Sequence, residues 1–489
     1  MRRRTTTVVG VATVAVLAAT GAAAATGFSF GVYRDQQLSN LSSPLFGVGT
    51  PLANSSTKQL TQAQAQADPT KLATLAKGLK ARVVTTKGPS VDDQISLWPD
   101  DTNPTYLIAC NESGTSDPGL VRIELATGDV TTIVTGTTSC DPTRRTPWGT
   151  IVFGEEAGGG PNGGRIYELI DPLNTTGVTL DRVTGQFSGG QGASNLVTRT
   201  ALGRAAFEGL GILDDGTTYL DGDDSGFGPK NGGPGDAFYK FIPANPFHGS
   251  KPITDLSQSP YTAGEVYGLR VGLGTNYGQG REFGLSQWIA LPHATDPDLE
   301  AEGLAAGLSG YYRTEDADLD PVALKKGMVR LCSPSTGDES NHLYGETVCI
   351  TDGTVAQAEA NTGKPEIQPF QIGGTSQGIN MPDNIEFQPS TGNVILHEDA
   401  ETTFGGPHNN DLWDCLPDGS DQDLLTDGCV RIASLNDLTA EWTGGIFDST
   451  GTHFYVSIQH PVSGQAAILD ITGWKATSAD DAQSMVDAG

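Results

Sequence analysis

The chain has 489 residues, with 58 Asp and Glu against 29 Lys and Arg and a net charge of −29. That excess of negative charge excludes nucleic acid and anionic membrane surfaces as partners. Sixty-four glycines and 28 prolines exclude a mainly helical fold and point to short strands joined by many tight turns.

At the N-terminus Arg2, Arg3 and Arg4 precede an apolar run from Val8 to about Ala25. Residues 1–30 therefore read as a signal peptide, with Ala22 and Ala24 offering an A-x-A cleavage site. The run approaches the ~20 residues of a membrane span, so an uncleaved anchor is the alternative. Cleavage gives an exported protein with no membrane contact after signal removal, and the consecutive arginines permit the twin-arginine route. Residues 31–90 are polar and rich in Gln, Ala and Thr, which predicts a linker. Within them, TKLATLAKGLKARVV (71–85) carries apolar residues at helical spacing and predicts a short helix.

From about Asp93 the pattern changes to apolar runs of four to six residues separated by Gly, Asp, Asn or Pro, as in LVRIELATGDVTTIVTG, GTIVFGEE and GNVILHED. Strand, turn and strand repeated in this way predict an all-β domain over 91–475, a β-propeller of four-stranded blades, with a β-sandwich pair as the alternative. Residues 476–489 read as a weakly helical tail. Six cysteines in an oxidising compartment predict disulfides. Cys332 with Cys349 and Cys415 with Cys429 would each close a short loop. Cys110 and Cys140 either bridge each other, or one of them stays a thiolate and binds metal.

Acidic pairs stand where strands end: Glu155 and Glu156, Asp223 and Asp224, Glu315 and Asp316, Glu398 and Asp399. In a propeller many strand ends point at one central funnel. Adjacent carboxylates repel unless a cation lies between them, and hard oxygen ligands suit Ca²⁺, Mg²⁺ or Fe³⁺.

SCDPTRRTPWGTIVFGEE, LGRAAFEGLGI, YLDGDD, FYKFIP, YYRTEDADLDP, MPDNIEFQPSTGNVILHED and TGGIFDSTGTHFYVSIQHP follow one another in this chain. Together they resemble the PhoX-type alkaline phosphatases, from roughly Asp93 to Gly473, as a divergent branch. The resemblance implies a propeller of about six blades carrying calcium ions and an oxo-bridged iron pair, which hydrolyses phosphomonoesters. It assigns the cysteine ligand to Cys140, and the carboxylate ligands to Glu155 or Glu156, Glu208, Asp223 or Asp224, and Glu315. Arg313 takes the place of the arginine that contacts phosphate, through bidentate guanidinium bonds. Asn111, Glu112, Asp383 and Glu398 are candidates for the rim of the same site. The segment before TPWGT is one residue longer here than the family's usual spacing, which makes Glu156 the alternative to Glu155. A Cys110–Cys140 disulfide would remove the thiolate. The chain is thus expected to be a monomeric, secreted, metal-dependent phosphatase acting on small phosphorylated substrates. The alternatives are a calcium-stabilised binding propeller and a calcium-dependent hydrolase such as a lactonase. His397, beside Glu398, is the one histidine singled out.

Overall fold

The computed structural model describes residues 30–223, 236–272, 283–292, 295–337, 344–374, 378–400, 409–419 and 425–475. Residues 1–29 of the expected signal peptide, the expected C-terminal tail and Asp224 lie outside the described residues. Alternating apolar runs and glycine-marked turns produce antiparallel strands grouped into five sheets. The nine-stranded sheet is two blades joined through only two residue pairs, Gly284↔Ile367 and Leu285↔Glu366. Six blades result. Their innermost strands are Asp92–Trp98, Cys140–Arg145, Phe207–Ile212, Asp318–Leu319, Pro382–Phe387 and Glu441–Phe447. Each packs beside the next, and the sixth packs beside the first. The second strands are Tyr106–Asn111, Ile151–Glu155, Thr218–Gly222, Met328–Ser335, Val394–Glu398 and His453–Gln459.

Each blade is covered on both faces by its neighbours, so the strands are apolar along their length rather than on one side only. Separate apolar clusters fill the interfaces. Ile108, Leu120, Ile151 and Phe153 lie between blades 1 and 2, Phe207, Leu220 and Val152 between blades 2 and 3, and Ile95, Leu107, Tyr455 and Ile468 between blades 6 and 1.

The N-terminal segment departs from the expected linker and helix. Residues 71–85 contain strands Ala73–Leu75 and Lys80–Thr85, whereas the nearby helices are Phe30–Asn40, Ser42–Phe46 and Gln62–Ala67. Lys80–Thr85 pairs with Ala467–Thr472 as the fourth strand of blade 6, and Ala73–Leu75 adds a fifth strand to blade 5. The helical spacing of Leu72, Ala76 and Leu79 is genuine, and all three side chains are buried in the core of blades 5 and 6. Gly78, at φ 105°, interrupts the segment, and two open sheet edges capture it, since pairing satisfies backbone groups that an edge leaves bare. The last blade is thereby closed by the beginning of the domain.

Three disulfides are present. Cys332–Cys349 and Cys415–Cys429 each join directly opposed residues within blades 4 and 5. Cys110–Cys140 joins the second strand of blade 1 to the innermost strand of blade 2. No helix among the described residues is long and apolar enough to cross a membrane.

Candidate metal centre

A strand presents successive side chains to opposite faces, and this alternation decides which member of each acidic pair reaches the centre. In blade 2, Cys140 opposes Glu155, and both are fully buried away from the centre. The next residue on each strand, Asp141 and Glu156, faces a central cavity of about 270 Å³. The arrangement recurs around the ring. Asp92 opposes Asn111, and Asp93 and Glu112 reach the cavity; Phe207 opposes Gly222, and Glu208 and Asp223 reach it; Pro382 opposes Glu398, and Asp383 and Asp399 reach it. In each of these blades the register shifts directly after the opposed pair, a bulge that re-aims the following side chain. Blade 4 supplies Glu315 beside the Thr314↔Ser335 bridge, and blade 6 supplies Glu441 opposite Gln459. The backbone is left-handed at Ser139, Arg313 and Met381, just before three of these sites, and at His460, just after another. Non-glycine residues hold that conformation at a cost and concentrate at functional sites.

Ten carboxylates among the described residues line the cavity. Nine of them form four groups whose candidate ligand atoms lie within 4.8 Å of one another: Asp93, Glu112 and Asp141; Asp141, Glu156 and Glu208; Glu208, Glu315 and Asp383; Asp383, Asp399 and Glu441. Asp141, Glu208 and Asp383 each belong to two groups. Burial raises the proton affinity of these carboxyls, and neighbouring carboxylates raise it further. Glu156 is pushed up to about 11 by burial and then by Asp223 and Glu112. Glu208 is raised well above the ordinary range by burial and then by Asp141 and Glu315. Glu315, Asp383 and Glu441 shift in the same direction for the same primary cause.

Cations relieve this conflict, and the donor set suits them. Gln459 is 2% exposed and lines the cavity; its amide nitrogen donates to Asp93 at 3.0 Å and to Glu112 at 3.3 Å, while its Oε1 has no hydrogen-bond partner. A buried, unpaired amide oxygen among carboxylates is an acceptor waiting for a positive ligand. Carboxylate and amide oxygens are the ligands that Ca²⁺ takes. The remaining carboxylate, Asp223, receives Arg313 through two bonds, Nε to Oδ1 at 2.8 Å and an Nη to Oδ2 at 3.0 Å. Asp223 and then Glu315 hold the guanidinium firmly protonated. Arg313 and His460 are the only basic side chains among the described residues of the lining, and His460 Nε2 lies 3.3 Å from Glu441.

Of the expected residues, Glu112, Glu156, Glu208, Asp223, Arg313, Glu315 and Asp383 meet in this cavity. Glu155 does not. It is fully buried inside blade 2, where it accepts from Thr138 N, Tyr167 Oη and Arg182 Nε. Glu398 occupies the equivalent place in blade 5, accepting from Asn380 N, Asp411 N and Trp413 Nε1. Asn111 likewise turns inward, to the Pro118 carbonyl. Cys140 is bonded to Cys110 in an apolar interface, so its sulfur is not available as the thiolate ligand. The iron pair tied to the protein by that thiolate therefore does not fit these residues. His397 is buried against Phe454 with its ring pushed down to about 3 by burial, away from the cavity. Sequence reasoning missed Asp93, Asp141, Glu441, Gln459 and His460. The available signal was positional: the cavity residue immediately follows the last residue of a second strand, or sits at the start of the innermost one.

Fold and site together define a six-bladed propeller that encloses a carboxylate-lined centre with one clamped arginine. The chain belongs to the alkaline phosphatase PhoX family, whose pattern matches residues 112–462. TPWGT, the most specific motif in that span, is architectural here. Trp148 is fully buried and donates to Glu168 at 2.7 Å, in the turn between the first two strands of blade 2. No curated protein matches the chain. Among solved structures it is similar to an auxiliary nutrient binding protein from Bacteroides thetaiotaomicron, with 9% identity over 81% of this chain and 77% of that one and a TM-score of 0.41. It is also similar to the soluble aldose sugar dehydrogenase from Escherichia coli, with 10% identity over 81% and 99% and a TM-score of 0.41. The PQQ-bound aldose sugar dehydrogenase from Streptomyces coelicolor gives 13% identity over 82% and 98%, with a TM-score of 0.28.

Proposed function

We propose that this protein is an exported, metal-dependent phosphatase that hydrolyses phosphate esters of small molecules in the central cavity. The observation that carries the reading is the pairing of four linked carboxylate groups with one arginine whose guanidinium is fixed at their edge. Left to themselves, the ten carboxylates and one arginine that the described residues bring to the cavity repel a phosphate dianion. Bound hard cations such as Ca²⁺ would supply the charge neutralisation and Lewis acidity that phosphoryl transfer requires. Asp93, Glu112, Asp141, Glu156, Glu208, Glu315, Asp383, Asp399 and Glu441 would hold them, with the Oε1 of Gln459 as a further donor.

The protein's own groups then account for recognition. Asp223 engages two nitrogens of Arg313 and sets the plane of the guanidinium, which leaves the third nitrogen to bind a phosphate oxygen and to follow the charge that develops during transfer. Glu315 lies 3.4 Å from the same guanidinium and couples its position to the third carboxylate group. The lining is almost wholly polar, so it recognises the phosphoryl group rather than an apolar leaving group. Three disulfides fit export to an oxidising compartment.

The test is a substrate panel on calcium-loaded protein: p-nitrophenyl phosphate, bis-p-nitrophenyl phosphate and a γ-lactone. Turnover of the monoester, inhibited competitively by inorganic phosphate, is expected. Turnover of the lactone alone would replace the phosphatase by a lactonase, and no turnover of any substrate by fully loaded protein would leave a binding propeller.

A further inference from the structure

The centre has no sulfur to offer, and the residue beside the absent thiolate is a carboxylate. All six cysteines are paired, and no free cysteine remains. Cys110 and Cys140 are fully buried among Ile108, Leu120, Ile151 and Phe153. Alternation along the innermost strand of blade 2 sends the Cys140 side chain into that apolar interface and the Asp141 side chain into the cavity.

Asp141 is 2% exposed. Its Oδ1 accepts from Gln94 Nε2 at 3.2 Å, and the same nitrogen donates to the Glu208 carbonyl at 2.7 Å. Gln94 is itself fixed by Arg144, which donates to its Oε1 at 2.8 Å. The carboxylate is thus oriented by a supporting chain of hydrogen bonds, as a metal ligand needs to be. It belongs both to the group with Asp93 and Glu112 and to the group with Glu156 and Glu208.

We infer that Asp141 bridges two cations at the boundary of blades 1 and 2, where the resemblance implies a thiolate, and that this branch carries an oxygen-only cluster of hard divalent cations, with the Cys110–Cys140 pair serving as a staple between blades. Soft or borderline metals favour sulfur, whereas calcium and magnesium favour carboxylate and carbonyl oxygen. The charge balance agrees. Among the described residues, with Asp223 paired to Arg313, nine carboxylates remain in four groups, and one divalent cation per group leaves a single excess negative charge. The inference rests on the reading that the cavity holds metal, and it does not depend on which ester is cleaved.

The test combines metal analysis by mass spectrometry, titration of thiols in unfolded, unreduced protein, and a visible spectrum, all on the mature chain. Wild-type protein is expected to contain calcium or magnesium, no titratable thiol and no thiolate-to-metal absorption. Cys110→Ser with Cys140→Ser should keep the full metal content. Asp141→Asn should lose about half of it, because two of the four groups share that residue. Iron with a visible thiolate band, a free thiol in the wild type, or metal loss in the double serine variant would overturn the inference, as would a wild-type protein without cations. If the double variant does not fold, the wild-type thiol count and spectrum still decide. Esterase turnover is measured separately: loaded protein with no turnover refutes the phosphatase and leaves this assignment standing.

Discussion

Glu208→Gln is expected to reverse its effect on stability according to whether metal is bound. Glu208 is 3% exposed and shared by two carboxylate groups. Candidate ligand atoms within a group lie within 4.8 Å of one another, and two carboxylate charges at that outer limit repel by about 3 kcal/mol at an effective dielectric of 20. In chelated protein Glu208 either carries a charge that Asp141, Glu315 and Glu156 oppose or takes up a proton to avoid it, and glutamine bears neither cost, so the variant should melt higher than the wild type. With calcium the order inverts. Each site filled at a thousandfold excess over its Kd stabilises the fold by about 4 kcal/mol. A variant that weakens two of four groups should therefore show about half of the wild-type calcium-induced rise in Tm. The assay is calorimetry of both proteins, with chelator and with calcium. If Glu208→Gln melts below the wild type by the same interval in both conditions, Glu208 is an ordinary structural residue and the shared-ligand argument fails.

The metal-free protein should lose stability as pH rises. The folded-state pKa values of Glu156, Glu208 and Glu315 are raised, so their protonated forms favour folding below the unfolded carboxyl value of about 4.3, and that contribution is lost as pH climbs towards the value of about 11 for Glu156. Chelated samples should show Tm falling between pH 5 and 9, as measured by calorimetry, and calcium should flatten the profile. Arg313→Ala should preserve metal content while lowering kcat/KM about 10²- to 10³-fold, the range typical for loss of a donor aimed at developing charge; equal loss of metal would make Arg313 structural. Glu155→Gln should destabilise the fold by about 3 kcal/mol by leaving Arg182 without its buried partner, yet leave metal content unchanged in elemental analysis.

Much of the architecture was legible because each blade interface demands continuous apolar strands and each turn demands a glycine, asparagine or aspartate. The N-terminal strands were not. Leu72, Ala76 and Leu79 have helical spacing, and only the open edges of blades 5 and 6 convert the segment to strand. In the site, the acidic pairs mark chain positions that line the central cavity through Glu156, Asp223, Glu315 and Asp399. Reading both members as ligands of one ion ignored the two-residue period, which sends Glu156 and Asp399 to the cavity but turns Glu155 and Glu398 into the blades. Asp93, Asp141 and Glu441 carry no local signature beyond opening an innermost strand. Their convergence depends on ring closure, which brings together residues separated by more than three hundred positions. The histidine beside an acidic residue, His397, was a misleading cue, because its side of the strand faces a neighbouring blade.

The decisive question is whether phosphate-ester hydrolysis follows occupancy of the carboxylate groups. Metal-free protein titrated with calcium, with bound metal and p-nitrophenyl phosphate turnover measured on the same samples, answers this. Turnover should be absent in the metal-free protein and rise together with bound calcium to a plateau. Turnover that persists after complete metal removal would contradict it, as would fully loaded protein that leaves the ester intact.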